Sequence, residues 1–149
     1  YIYRAFLWPG GNAIAQHLLT HPSTVSSKSI LDFASGGGVQ TIAALHSNCS
    51  NIIVNDISSL CLEATRLNLI ENGYTNDVQN EKVMYLCEDI IGNEEIMKEI
   101  DVCVAGDVLY DDELARNVFP WFQKMANNNI EVINKMYSYT CIDTLNILL

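Results

Sequence analysis

Positive charge is scarce in this chain: eight Lys and Arg stand against eighteen Asp and Glu, a formal net charge of −10. A phosphate backbone needs a basic face, so nucleic acid is excluded as a partner, and a lysine-presenting protein fits better. Long apolar runs are missing as well. None reaches the ~18 residues of a membrane-spanning helix, so no membrane partner is expected. Cys49, Cys61, Cys87, Cys103 and Cys141 include no C-x-x-C pair. A scattered odd set is neither a disulfide framework nor a zinc site, which points to reduced thiols, with Cys87 and Cys103 as small core residues. His17 and His21 have the four-residue spacing of a metal pair but lack the glutamate of H-E-x-x-H and a third ligand, so no metal is expected. Repeats, linkers and low-complexity tracts are absent, and the 149 residues read as one domain, 1–149, expected to be a monomer. The sequence opens at Tyr1 rather than Met, which leaves an upstream targeting segment open.

What is present is an alternation of two periodicities. Residues 12–21, NAIAQHLLTH, place Ile14, Leu18 and Leu19 on one helical face, with Gly10 and Gly11 ahead of the helix. SILDFA (29–34) reads as a buried strand and VQTIAALHS (39–47) as the helix after it. NIIVND (51–56) is a second strand; Ser58 or Ser59 is the expected cap of a helix over 60–72 that closes at Asn72-Gly73. Residues 82–89, 94–99 and 100–107 read as strand, short helix and strand. A helix over 111–127 is expected to step at Pro120, because proline disturbs a helix interior. Residues 130–134 form a fifth strand, left as an exposed edge. Strands alternating with helices imply right-handed crossovers and an α/β, doubly wound, mostly parallel sheet.

Four acids, Asp32, Asp56, Asp89 and Asp107, fall at the ends of four predicted strands. In such sheets ligands bind outside the carboxyl ends of the strands, so one edge becomes anionic and suits hydroxyls or positive charge rather than bare phosphate. Gly36, Gly37 and Gly38 let the backbone turn tightly and bring a ligand against main-chain N–H groups at a helix start. The dinucleotide fingerprint G-x-G-x-x-G needs a small residue three positions after Gly38, where Thr41 stands, so a nicotinamide-dependent oxidoreductase is disfavoured. Asp32 suits a sulfonium and an amino group, and Asp56 is spaced to accept two ribose hydroxyls. S-adenosylmethionine, a cationic nucleoside without phosphates, is the expected cofactor.

These residues resemble those of the seven-strand class I methyltransferases. LDFASGGG (31–38) resembles their first motif, hydrophobic-D-hydrophobic-G-x-G-x-G, with Gly36 and Gly38 matching and Ala34 in place of the first glycine. The added methyl at Ala34 is tolerated if that residue has a negative φ. VNDI resembles the second motif, and CEDI the third, which implies Asp89 near the adenine amino group. FLWPGGNAIAQHLL and GDVLYDDELA narrow the resemblance to protein-lysine methyltransferases, and among them to the branch acting on the β-subunit of electron-transfer flavoprotein. The resemblance implies a Rossmann-like fold and Trp8 close to the cofactor. It also implies that Asp107 and Tyr110, a D-x-x-Y element, position the substrate nitrogen, with Asp107 at the cofactor site as well. A mitochondrial matrix location is implied through that substrate, and a cytoplasmic one otherwise. Residues 1–133 follow the family, whereas 134–149 depart from it, so the C-terminal strand hairpin is expected to be missing. The alternative is a non-catalytic module that keeps the nucleoside pocket.

Overall fold

The structure, a computed structural model, describes residues 7–79, 81–109, 111–135 and 146–148. Among them are the strands β1 (Ser29–Phe33), β2 (Asn51–Asn55), β3 (Val83–Leu86), β4 (Val102–Gly106), β5 (Glu131–Lys135) and β6 (Asn146–Leu148). The helices are α1 (Pro9–Thr20), α2 (Val39–His46), α3 (Ser59–Glu71), α4 (Thr75–Gln79), α5 (Glu94–Met97) and α6 (Asp112–Asn127). One sheet runs in the order β3-β2-β1-β4-β5-β6, with the first five strands parallel and β6 antiparallel to β5. The strand order reverses between β1 and β4, and in open α/β sheets the crevice for a ligand lies outside the carboxyl ends at that switch point.

Both faces of the sheet are covered, which is why its strands are continuous apolar runs rather than alternating ones. Ile30, Val54 and Val104 pack with Ile14 and Leu18 of α1, Ala44 of α2 and Leu69 of α3. On the opposite face Leu31, Phe33, Cys103 and Ala105 meet Met97 of α5 and Val118, Trp121 and Phe122 of α6. Phe33 stands edge-on to Trp121 and Phe122, with ring centroids 5.3 and 6.1 Å away. Cys103 is buried as expected, and that burial pushes its thiol pKa up. Cys87 is exposed instead, because β3 ends at Leu86 and releases the next residue from the core.

Local chemistry explains where the observed elements differ from the sequence reading. Helix α1 begins at Pro9, so Gly10 and Gly11 lie inside its first turn rather than ahead of it. Ser58 is the residue preceding α3, but its side chain makes no capping bond; its backbone N–H donates to Asp56 Oδ1 at 2.8 Å. Helix α6 runs through Pro120 without interruption, its start capped by Asp111 Oδ1, which accepts from Glu113 N and Leu114 N. Pro120 sits on the exposed face, so the carbonyl of Arg116 that loses its N–H partner faces the solvent side of the helix. The short helix α4 carries no apolar period and escaped sequence reading. Strand β5 was expected as an open edge and is paired by β6, with Val132 opposite Leu148 and Asn134 opposite Asn146.

Candidate functional site

The crevice at the carboxyl ends of β1, β2 and β4 gathers most of the sequence-selected residues. Gly38 stands at φ +79° as the residue before α2, and Gly36 at φ +55°. A side chain at Gly38 would collide with the Thr65 side chain of α3, so the loop backbone lies directly against that side chain. Thr65 Oγ1 donates to the Gly36 carbonyl at 3.1 Å, and Asn68 Nδ2 to the Gly37 carbonyl at 2.8 Å. The glycine loop is therefore fixed from outside by α3.

Asp56, 7% exposed, fixes it from the side. Its Oδ2 accepts from Gly36 N at 3.1 Å while Oδ1 takes the Ser58 amide, so one carboxylate ties the tip of β2 to the loop after β1. Asp32 lies beneath the loop and is fully buried. Its carboxylate accepts from Gln40 Nε2 at 3.0 Å and from Thr41 Oγ1 at 2.5 Å, and from the Thr41 backbone as well. Desolvation, opposed by the Thr41 bonds and reinforced by Asp56, raises the Asp32 pKa from 3.8 to about 7. Thr41, read from sequence only as a departure from the dinucleotide fingerprint, is thus the partner of the buried acid.

Ala34 does not meet the condition of a negative φ. It adopts φ +56°, the left-handed region that the family's glycine occupies without cost. Ala34→Gly is expected to stabilise the chain by about 1 kcal/mol, read as a higher urea midpoint at unchanged slope. An unchanged midpoint would show that the loop relaxes around the methyl group.

Asp107 follows β4 at φ +56°, and its amide donates to the Lys135 carbonyl at 2.7 Å. Its Oδ2 accepts from Gly10 N at 2.6 Å and from Gly11 N at 3.1 Å, the first amides of α1. Asp107 thus caps a helix 96 residues earlier in the chain. Trp8 precedes α1, accepts from Asn12 N through its carbonyl and is 49% exposed. Asp89 is exposed beyond β3 and accepts from Ile91 N at 3.0 Å. Tyr110 lies outside the described residues. His17 and His21 stack with ring centroids 4.7 Å apart. Burial, followed by the charge of His21, lowers the His17 pKa.

The segments 34–38, 56–58, 87–91 and 107–109 carry Asp56, Glu88, Asp89 and Asp107 and no Lys or Arg. That donor set fits a nucleoside with hydroxyls and positive charge and does not fit a pyrophosphate. The fold is shared with known methyl-transferring proteins. The ribosomal protein L11 methylase of Lactobacillus delbrueckii subsp. bulgaricus superposes with a TM-score of 0.64 at 19% identity, over 87% of this chain and 61% of that one. The electron transfer flavoprotein beta subunit lysine methyltransferases of Rattus norvegicus and Homo sapiens are each 36% identical, over 121 and 122 residues. These matches cover 81% and 82% of this chain and 44% of either relative, so the chain spans less than half their length. A family model described as lysine methyltransferase matches residues 4–140, from before Trp8 to beyond β5. With that match running through every element that builds the crevice, the chain belongs to the lysine methyltransferase family.

Proposed function

We propose that this chain is an S-adenosylmethionine-dependent protein-lysine N-methyltransferase acting on the β-subunit of electron-transfer flavoprotein, in the mitochondrial matrix. The observation that carries the reading is the glycine loop braced by Asp56 at an edge with acids and no basic side chain in its four loops. Asp56 would accept the ribose hydroxyls, Asp89 would meet the adenine amino group, and Trp8 would cover the cofactor. Gly36 and Gly38 let the main chain approach it, while Asp32 holds the first turn of α2 through Gln40 and Thr41. Tyr110 would line the path of the substrate nitrogen, where an aromatic face also attracts a methylated cation.

When bound, the cofactor supplies a methyl group on a positive sulfur, for which a neutral amine is the matching nucleophile. A lysine with the ordinary pKa of ~10.4 is neutral about once in 2,500 at pH 7, a deficit of roughly 4.6 kcal/mol. Burying the substrate lysine against the crevice lowers that pKa, whereas a nearby carboxylate raises it. The acids here are therefore groups that bind and orient, not proton acceptors, and holding two reactants together supplies the larger share of the rate.

The test incubates the purified chain with methyl-labelled S-adenosylmethionine and the flavoprotein β-subunit, alongside titration with S-adenosylhomocysteine and, separately, NAD. Label on β-subunit lysines together with selective S-adenosylhomocysteine binding is expected. Binding without transfer would identify a nucleoside-binding module, and preference for NAD would end the methyltransferase reading.

A further inference from the structure

Three glycines and one acid at the far side of the crevice form a contact for which packing of the core gives no reason. Gly10 comes so close to β5 that a Cβ there would fall on the Lys135 carbonyl oxygen and 2.6 Å from Asp107 Oδ2. A Cβ at Gly106 would sit 2.5 Å from the backbone of Gly11. The start of α1 thus lies directly on the tips of β4 and β5, at main-chain distance. Its first amides have no partner within the helix, and Asp107 supplies one acceptor to two of them, at 2.6 and 3.1 Å. A carboxylate is the favoured acceptor at that position, since it also meets the positive end of the helix dipole. The left-handed backbone at Asp107 turns this side chain back toward α1, a conformation that aspartate tolerates better than most residues. Trp8 is the residue immediately outside the helix start so held.

We propose that Asp107 is a positioning residue: by clasping the Gly10 and Gly11 amides it docks the start of α1 on β4 and β5 and thereby fixes Trp8 at the cofactor crevice. This rests on the reading of the crevice as an S-adenosylmethionine site. Gly10 and Gly106 are the second half of the clasp, because only a missing side chain permits the approach. The first residue of the D-x-x-Y element then orders the cofactor wall.

The experiment compares Asp107→Ala, Asp107→Asn and Gly10→Ala in the full chain by amide hydrogen exchange and by titration with S-adenosylhomocysteine. In Asp107→Ala the Gly10 and Gly11 amides are expected to lose roughly tenfold or more of their protection, while the Leu31 and Val104 amides in the sheet keep theirs. Asp107→Asn retains an acceptor of the same shape and restores part of the protection. Gly10→Ala leaves the carboxylate in place and adds a better helix former, so a weaker S-adenosylhomocysteine affinity in that variant, matching Asp107→Ala, is the signature of docking. Unchanged Gly10 and Gly11 protection in Asp107→Ala would overturn the clasp. Lost protection with unchanged affinity in both alanine variants would overturn the positioning role. An unmodified chain that binds no S-adenosylhomocysteine would instead sink the cofactor reading, and the exchange data would still decide whether the clasp exists.

Discussion

Asp56→Ala is expected to weaken S-adenosylhomocysteine binding a hundredfold or more, about 3 kcal/mol, with a loss of stability of comparable size. The size follows from what one carboxylate holds. Its two oxygens take the Gly36 and Ser58 amides at 3.1 and 2.8 Å, and hydrogen bonds to an ionised acceptor contribute roughly 1.5–3 kcal/mol each. Removing it frees the glycine loop from β2 in the same step that deletes the proposed ribose acceptor. Thr65 and Asn68 still hold the outer side of the loop, which keeps the fold intact enough to be measured. Asp56→Asn separates the two contributions, since one amide oxygen replaces two carboxylate oxygens and serves only one of the backbone donors. Calorimetric titration of a chain verified as folded by circular dichroism decides the matter. Wild-type affinity in Asp56→Ala would remove this residue from the binding site.

The parallel sheet was legible because its strands are buried on both faces, and apolar runs such as NIIVN carry that information without tertiary context. The glycine loop and Asp56 were legible for a related reason: a strand, a turn and a helix adjacent in sequence must also be adjacent in space. Long-range partners were not. Nothing in the spacing of Asp107 and Gly10 announces a contact across 97 residues, and Gly10 and Gly11 by propensity argue against the helix turn they occupy. The same limit hid the role of Thr41, whose value lies in a hydroxyl turned inward to Asp32 rather than in its size. Pro120 misled in the opposite direction. Its cost depends on whether the orphaned carbonyl meets water, and the exposed face on which it sits was unknown until the helix had a neighbour.

Asp32 carries the other large effect, and its sign runs against the usual carboxylate. Burial lifts its pKa from 3.8 to about 7, so between those values the folded chain holds a proton that the unfolded chain has released. Stability then falls as pH rises, from a full contribution below pH 4 to its loss above pH 7, and the span is on the order of 4 kcal/mol. Asp32→Asn removes this dependence, because the amide is neutral throughout. Its oxygen can accept from Thr41, and its NH2 group can donate to Gln40 Oε1, a buried oxygen that has no hydrogen-bond partner beside the native carboxylate. The variant is therefore expected to exceed the native chain in stability by a few kcal/mol at pH 8 and to match it near pH 4. Urea unfolding at pH 4, 6 and 8 reads the difference; a gap that does not widen with pH would show that Asp32 is ionised throughout and that its bonds to Gln40 and Thr41 outweigh burial. A neutral residue at this position would fold better at neutral pH, so stability alone does not account for an acid there. The carboxylate lies one short loop from Gly36 and near Asp56; on the proposed cofactor reading, its charge above pH 7 would add to an edge that favours a cationic ligand, a counterweight in binding to its cost in folding.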